Sequence, residues 1–221
     1  MIVVASHNRI DLLDNMLKTL SSIDLNNNKV LIVDTNSDNE EYKVFFNQCV
    51  ENYPQFIFER KNETCWDSGA YIHAYNNYSD KKFIFLQDSI TITNPKLIPM
   101  WENFLNIYEV VPFINFGYGY ENAGQQEFSE RLLPKNPPRP IDAIFGPIFG
   151  VRRETLDRLP KEWLTVIPDN KMDGNGMERR WSLMFHSIDA SKHYLEYTNF
   201  QKDHTIYTSK SNIDKHFFYR L

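Results

Sequence analysis

The first third of the chain alternates between two hydrophobic patterns. Residues 2–5 and 30–33 are apolar at every position and rich in β-branched side chains, as in strands covered on both faces of a parallel sheet. Between them Ile10, Leu13, Leu17 and Leu20 recur at helical spacing, with Asp11 and Asp14 in the first turns, where negative charge favours the helix dipole. This predicts a β-α-β unit. The alternation continues with a polar-faced helix over 40–51, a strand near 56–59, a helix near 68–78 and a strand over 82–86. Residues 1–90 therefore read as the nucleotide-binding half of an α/β fold with a mostly parallel sheet.

The second half is less regular. A helix is predicted to start at Asn94-Pro95, a cap residue followed by proline, and to bury Leu97, Trp101, Leu105 and Tyr108. Residues 118–140 combine Gly119, Gly124, Pro134, Pro137, Pro138 and Pro140 with many polar positions, which predicts either a long surface loop or flap over a site or an ordinary disordered insertion. Residues 143–151 read as a strand broken at Gly146-Pro147, followed by a short helix over 153–159. The last strong helix is expected over 177–188, with Met177, Trp181, Met184, Phe185 and Ile188 on one face. From Thr198 onward no clear period remains.

Composition narrows the class. The 221 residues, 42% hydrophobic and 14% aromatic, suit one core, and the chain is expected to be a single domain of two halves, 1–90 and 91–221. Lys and Arg number 24 against 29 Asp and Glu, a net charge of -5, so no basic field drives nucleic-acid binding. Apolar runs such as 83–86 fall far short of the roughly 20 residues of a membrane span. The chain starts without a basic n-region or an apolar h-region, and a cytoplasmic location is expected. Cys49 and Cys65 have neither metal-ligand nor redox-motif spacing. The phosphate loop G-x-x-x-x-G-K-[ST], the dinucleotide fingerprint G-x-G-x-x-G, the nucleophile elbow G-x-S-x-G and the zinc helix H-E-x-x-H are all absent.

What is present is a set of polar residues at the carboxyl ends of the predicted strands, where open α/β sheets bind ligands. The first strand ends in Ser6-His7-Asn8-Arg9, the second in Asp34-Thr35-Asn36-Ser37-Asp38 and the fourth in Gln87-Asp88-Ser89. A strand ending in Ser-His-Asn-Arg before an amphipathic helix, then Val-Leu-Ile-Val-Asp-Thr-Asn-Ser-Asp, resembles the opening of GT-A glycosyltransferases of the family 2 type. Asn62 followed by Asp67-Ser68-Gly69-Ala70 and Asn76 is similar to that family's Asn-x-Gly and Ala-x-Asn stretch. Residues 83–90 sit where the family has an apolar strand ending in Asp-x-Asp. Residues 144–150 followed by Arg153-Glu154 resemble its glycine-bearing acceptor strand, and residues 176–181 its acidic helix start.

The resemblance implies transfer of a sugar from a nucleotide sugar, a UDP-sugar first, to a hydroxyl of a glycan or glycoconjugate, with inversion. Ser6, His7, Asn8, Arg9, Asp34 and Asn36 would hold the nucleoside. Asp67, Gly69, Gln87, Asp88 and Ser89 would hold the ribose, diphosphate and sugar. Glu178 would deprotonate the acceptor, with Asp173 the competing acid. The family's Asp-x-Asp pair departs to Gln87-Asp88-Ser89. In an extended segment residues i and i+2 face one way and two carboxylates there can address one hard cation, but here Asp88 is the only acid, so a site for Mn or Mg needs a turn of the chain at Asp88 or a shell completed by His186, His193 or His204. Arg152, Arg153, Lys171, Arg179 and Arg180 are the alternative sources of positive charge for a leaving diphosphate. Two other classes stay open: a nucleotide-sugar or glycan-binding protein without turnover, and a sugar nucleotidyltransferase, although residues 6–9 lack the glycine expected of the latter.

Overall fold

A computed structural model describes residues 1–63, 65–113, 115, 116, 120, 122–134, 143, 144, 146–195 and 200–202. Strands β1 (Ile2–Ser6), β2 (Val30–Thr35), β3 (Ile57–Lys61) and β4 (Lys82–Gln87) alternate with helices α1 (Ile10–Ser22), α2 (Glu40–Asn52) and α3 (Trp66–Asn77). All four strands are parallel. After β5 (Ile90–Ile92) and α4 (Leu97–Ile107) come β6 (Val110–Pro112), β7 (Asn115–Phe116), α5 (Ala123–Glu130), β8 (Ala143–Ile144), β9 (Phe149–Arg152) and α6 (Arg153–Asp157). A 3₁₀ turn at Lys161–Thr165 leads to α7 (Lys171–Ser187), and β10 (Phe200–Lys202) follows. The main sheet has six strands in the order β3-β2-β1-β4-β9-β6, with β9 antiparallel to both of its neighbours.

The period of two along each strand sorts the core into two layers. Ile2, Val4, Ile32, Ile84 and Leu86 face Leu13, Met16, Leu17 and Leu20 of α1 and Leu97, Ile98, Trp101 and Leu105 of α4. Val3, Ala5, Leu31, Val33, Phe83 and Phe85 face Ala70, Tyr71 and Ala74 of α3 and Trp181, Met184 and Phe185 of α7. With both faces covered, every residue of β1 and β2 is buried, and the continuous apolar runs are explained. Gly150 lets α4 approach β9. A Cβ there would lie 2.5 Å from Trp101 Nε1, an atom that donates to Val111 O at 2.8 Å.

The expected α/β architecture holds, and four elements differ in extent. Residues 118–140 are not loop throughout: Asn122 Oδ1 accepts from Gln125 N and starts α5, which buries Gln125, Phe128 and Ser129. Residues 117–119, 121 and 135–142 of that stretch and its flanks lie outside the described residues. The broken strand is two strands in two sheets, β8 paired with β7 and β9 in the main sheet, hinged where Gly146 takes φ +62. Helix α7 begins at Lys171 rather than Met177, because Asn170 and Asp173 cap it reciprocally: Asn170 Oδ1 accepts from Asp173 N at 3.1 Å and its amide donates to Asp173 Oδ2 at 3.0 Å. Gly174 and Gly176 are thus inside a helix, packed on Trp66 and on Phe128. Helix α4 begins at Leu97, so Asn94-Pro95 precedes it, and Tyr108 is its half-buried C-cap.

Candidate active site

The sheet delivers the loops after β1 and β2 to one patch at its carboxyl edge. Asn8 takes a left-handed φ of +56, a conformation Asn tolerates, and so reaches across to the second loop. Its amide N–H donates to Ser37 Oγ at 2.9 Å, its side chain donates to Asp38 Oδ1 at 2.6 Å, and its Oδ1 accepts from Asn39 N at 3.0 Å. His7 is exposed, Arg9 is half-buried and pairs with Asp11 at 2.8 Å, and Asn36 is half-buried with φ +65. Six of the expected nucleoside residues are brought together here: Ser6, His7, Asn8, Arg9, Asp34 and Asn36.

Within that patch Asp34 is fully buried. Oδ1 accepts from Ser37 N at 2.9 Å and Ser37 Oγ at 2.6 Å, and Oδ2 accepts from Arg60 Nε at 2.7 Å. Ser37 in turn holds Asn8. The carboxylate therefore fixes the shape of both loops, and exposed or half-buried neighbours form the surface.

Asp88 and Ser6 join this patch to the next strand. Asp88 N donates to Ala5 O at 3.1 Å, Ser6 Oγ donates to Asp88 Oδ2 at 2.6 Å, and Tyr42 of α2 donates to Ser6 Oγ at 2.7 Å. Burial pushes the Asp88 carboxyl up to about 7, with the Asp67 charge acting the same way, against the lowering effects of the Ser6 hydroxyl, the His7 amide and Arg9. Burial also pushes the Tyr42 hydroxyl well up. The donor set here is poor for a divalent ion. Asp88 is flanked by the amide Gln87 and the hydroxyl Ser89, and its Oδ2 is turned to Ser6. Among the described residues no group of three or more His, Cys, Asp or Glu side chains converges.

Beside Asp88 a cleft opens between α3, the end of β4, the Gly146-Pro147 turn and α7. It is lined by Trp66, Asp67, Gln87, Lys171, Asn175 and Glu178, among others. Gln87 donates to Asp67 Oδ2, and Ser89 Oγ lies 3.4 Å from Gln87 Oε1. Glu178 stands in the third turn of α7, not at its mouth. It is aimed by tertiary contacts: Gly146 N donates to Glu178 Oε1 at 2.8 Å, and Arg179 lies 3.6 Å from Oε2. The Glu178 side chain keeps 20% exposure. Asp173 is spent on the helix cap and does not line the cleft. Gly69 packs α3: a Cβ would lie 2.2 Å from Cys65 Cβ.

Of the five candidate cations, the sheet brings only Lys171 to the lining of this cleft. Lys82 pairs with Arg152 in the β4–β9 register, so Arg152 and Arg153 stand at the amino end of β4, roughly 16 Å along the strand from Gln87. Arg180 is fully buried and donates to Ser129 O, Arg131 O and Trp163 O at 3.2, 2.6 and 2.7 Å. Arg179 is nearly buried and donates to Asn175 O at 3.1 Å. Trp181 is core, donating to Ser68 Oγ at 3.0 Å.

Sequence reasoning placed Ser37 at this edge without a role and missed Tyr42, Arg60 and the Gly146 amide. Nothing local marks Arg60 and Tyr42, because they act on partners 26 and 36 positions away. Gly146 was visible as a strand break, and its role as a donor to Glu178 was not.

No protein-family model matches the chain, and no curated protein does. Solved structures do. A mannosyltransferase, PcManGT from Pyrobaculum calidifontis, solved with GDP-Man and Mn2+, matches with a TM-score of 0.53 at 15% identity over 79% of this chain and 49% of that one. S. aureus TarS 1-349 matches with a TM-score of 0.56 at 14% identity over 90% of this chain and 58% of that one. The same TarS fragment in complex with UDP-GlcNAc matches with a TM-score of 0.54 at 15% identity over 90% and 56%. This chain thus spans about half the length of these structures. At such identities the likeness establishes the fold, a GT-A glycosyltransferase fold with a six-stranded, mostly parallel sheet. No helix among the described residues is long and apolar enough to cross a membrane.

Proposed function

We propose that the protein is an inverting glycosyltransferase that moves a sugar from a nucleotide sugar, UDP-sugars being the first to test, to a hydroxyl of a glycan or glycoconjugate. One observation carries the reading. Glu178, held by the Gly146 amide, lines the same cleft as Asp67 and Gln87 on the carboxyl edge of a GT-A sheet. Structures that share this fold bind GDP-Man and UDP-GlcNAc, which supports a nucleotide-sugar donor here.

In this reading the loops carrying His7, Asn8, Arg9 and Asn36 cover the nucleoside, and Asp34 keeps them in shape. Asp67, Gln87 and Ser89 approach the ribose, diphosphate and sugar. Glu178 takes the proton of the acceptor hydroxyl as its oxygen attacks the anomeric carbon. The bond from that carbon to the diphosphate oxygen breaks, and the nucleoside diphosphate leaves with the electron pair, close to the Lys171 ammonium. A protein-held cation at Asp88 does not fit the donor set described above, and no step is assigned to one.

The test is a panel of UDP- and GDP-sugars scored by calorimetry for binding and by chromatography for release of nucleoside diphosphate with and without glycan acceptors. Binding with acceptor-dependent release supports the reading. Absence of nucleotide binding removes it. Binding without turnover favours a nucleotide-sugar-binding protein, the reading favoured by Gln87 and Ser89 flanking an Asp88 that faces Ser6.

A further inference from the structure

Trp66 combines three unfavourable or unusual features in one residue. Its φ is +50, a left-handed backbone that a bulky side chain rarely adopts and that persists only when its surroundings enforce it. Its indole Nε1 is buried with no hydrogen-bond partner, although a buried Trp N–H ordinarily finds one. The residue lines the cleft that also holds Asp67, Gln87 and Glu178. The enforcing surroundings can be named. Asp67 and Ser68 continue at once into α3, where Ser68 is locked by Trp181 at 3.0 Å. The benzo edge of Trp66 lies against Gly174, where an added Cβ would sit 3.4 Å from the ring. Fixing α3 and α7 thus fixes the indole at the cleft at a local cost that no protein hydrogen bond offsets.

We propose that Trp66 forms a subsite for a neutral sugar in this cleft, its in-plane N–H donating to a sugar hydroxyl and the adjoining indole edge meeting the sugar's C–H groups. This rests on the nucleotide-sugar reading and deepens it. A sugar has the complementary make-up, an apolar C–H face edged by oxygen acceptors, and Trp is the side chain with an apolar body and a single donor. A phosphate needs cations instead, and of the cleft-lining residues Lys171 is the charged donor.

The test compares wild type with Trp66→Phe, which keeps an aromatic ring and removes the donor. Both are titrated by calorimetry with UDP, GDP and the matching hexose and N-acetylhexosamine conjugates. For the conjugate that binds best, the variant should lose roughly three- to tenfold in affinity while its affinity for the bare nucleoside diphosphate is unchanged. A second readout does not depend on the variant folding. Of the four Trp residues, the Trp66 indole N–H resonance, assigned by NOE in the wild type, should move downfield with the nucleotide sugar and not with the diphosphate alone. An unmoved resonance, or equal loss for diphosphate and conjugate, overturns the subsite and leaves the nucleotide-sugar reading standing. If the wild type binds no nucleotide at all, that reading falls and the subsite with it.

Discussion

The two edges of the same sheet use charge to opposite ends. At the amino edge of β4, Arg153 donates to Tyr75 O at 2.7 Å, to Tyr78 O and to Asp80 O at 3.3 Å, tying the end of α3 to the start of β4. Arg152 Nε donates to Leu105 O at 2.6 Å and closes the end of α4. Of these acceptors, Tyr75 O and Leu105 O are last-turn carbonyls that have no partner within their own helix. At the carboxyl edge the groups are shaped for more than the chain itself requires. Asp88 is a buried acid whose carboxyl is pushed up to about 7, Trp66 holds an unpartnered N–H in a left-handed backbone, and Glu178 is aimed into a cleft by a backbone amide. Two cationic positions that look alike in sequence, Arg153 and Lys171, therefore fall at opposite edges. The lesson is that a polar group whose capacity is taken up by nearby carbonyls is building the fold, whereas strain and unmet bonding gathered at one edge mark a site.

The sharpest break of this contrast is Glu178→Gln. The amide keeps an oxygen for Gly146 N and loses basicity, so sugar transfer should fall by ~10²- to 10⁴-fold with nucleotide affinity and melting temperature unchanged. Steady-state rates beside calorimetry check it. Near-normal transfer, or a product of retained anomeric configuration, would remove Glu178 as the base.

Asp88 makes the next largest effect, and its sign is fixed by the direction of its shift. The folded state holds a proton that the unfolded chain releases between the ordinary carboxylate range and about 7, so this group makes the protein less stable as pH rises through that window. Asp88→Asn has no such proton to lose. Urea denaturation at several pH values should show the variant gaining on wild type by up to about 1.4 kcal/mol per pH unit across the window. A gap that stays constant with pH would show that Asp88 titrates as an ordinary surface acid.

Arg153→Ala probes the other edge. Losing a charged donor to three carbonyls should cost roughly 2–3 kcal/mol of stability and leave nucleotide affinity untouched. Weakened nucleotide binding at full stability would erase the distinction between the two edges. The smallest effects come from the paired glycines of α7. Gly174→Ala meets only ordinary contact with Trp66 and should stabilise by about 0.5–1 kcal/mol, as expected of Ala over Gly within a helix. At Gly176 a Cβ would lie 2.8 Å from Phe128 Cδ1, and Gly176→Ala should destabilise by about 1–3 kcal/mol. Thermal melts of both variants separate the two.

Much of the fold was legible because its first half obeys local rules. Residues 2–5 and 30–33 are strands because positions covered on both faces favour apolar, mostly β-branched side chains, and the Leu spacing of α1 follows from the one face it buries. The loops after β1, β2 and β4 could be placed at one edge for the same reason: parallel strands put their carboxyl ends together.

What the sequence by itself could not determine lies where distant groups meet. It marked Glu178 as an acid near glycines, but read those glycines as a helix boundary. The start of α7 was decided by the Asn170–Asp173 cap and by Trp66 and Phe128 lying against Gly174 and Gly176. It offered five cations on equal terms, and the β4–β9 register sent Arg152 and Arg153 to the far edge while the α5–α7 packing buried Arg180. It marked Asp34 and Asp88 without saying which way their oxygens turn, a matter settled by Ser37, Arg60, Ser6 and Tyr42. Hydrophobic periodicity is a property of neighbours along the chain and survives in the sequence. A hydrogen bond between residues 32 or 82 positions apart exists only once the sheet has brought them together.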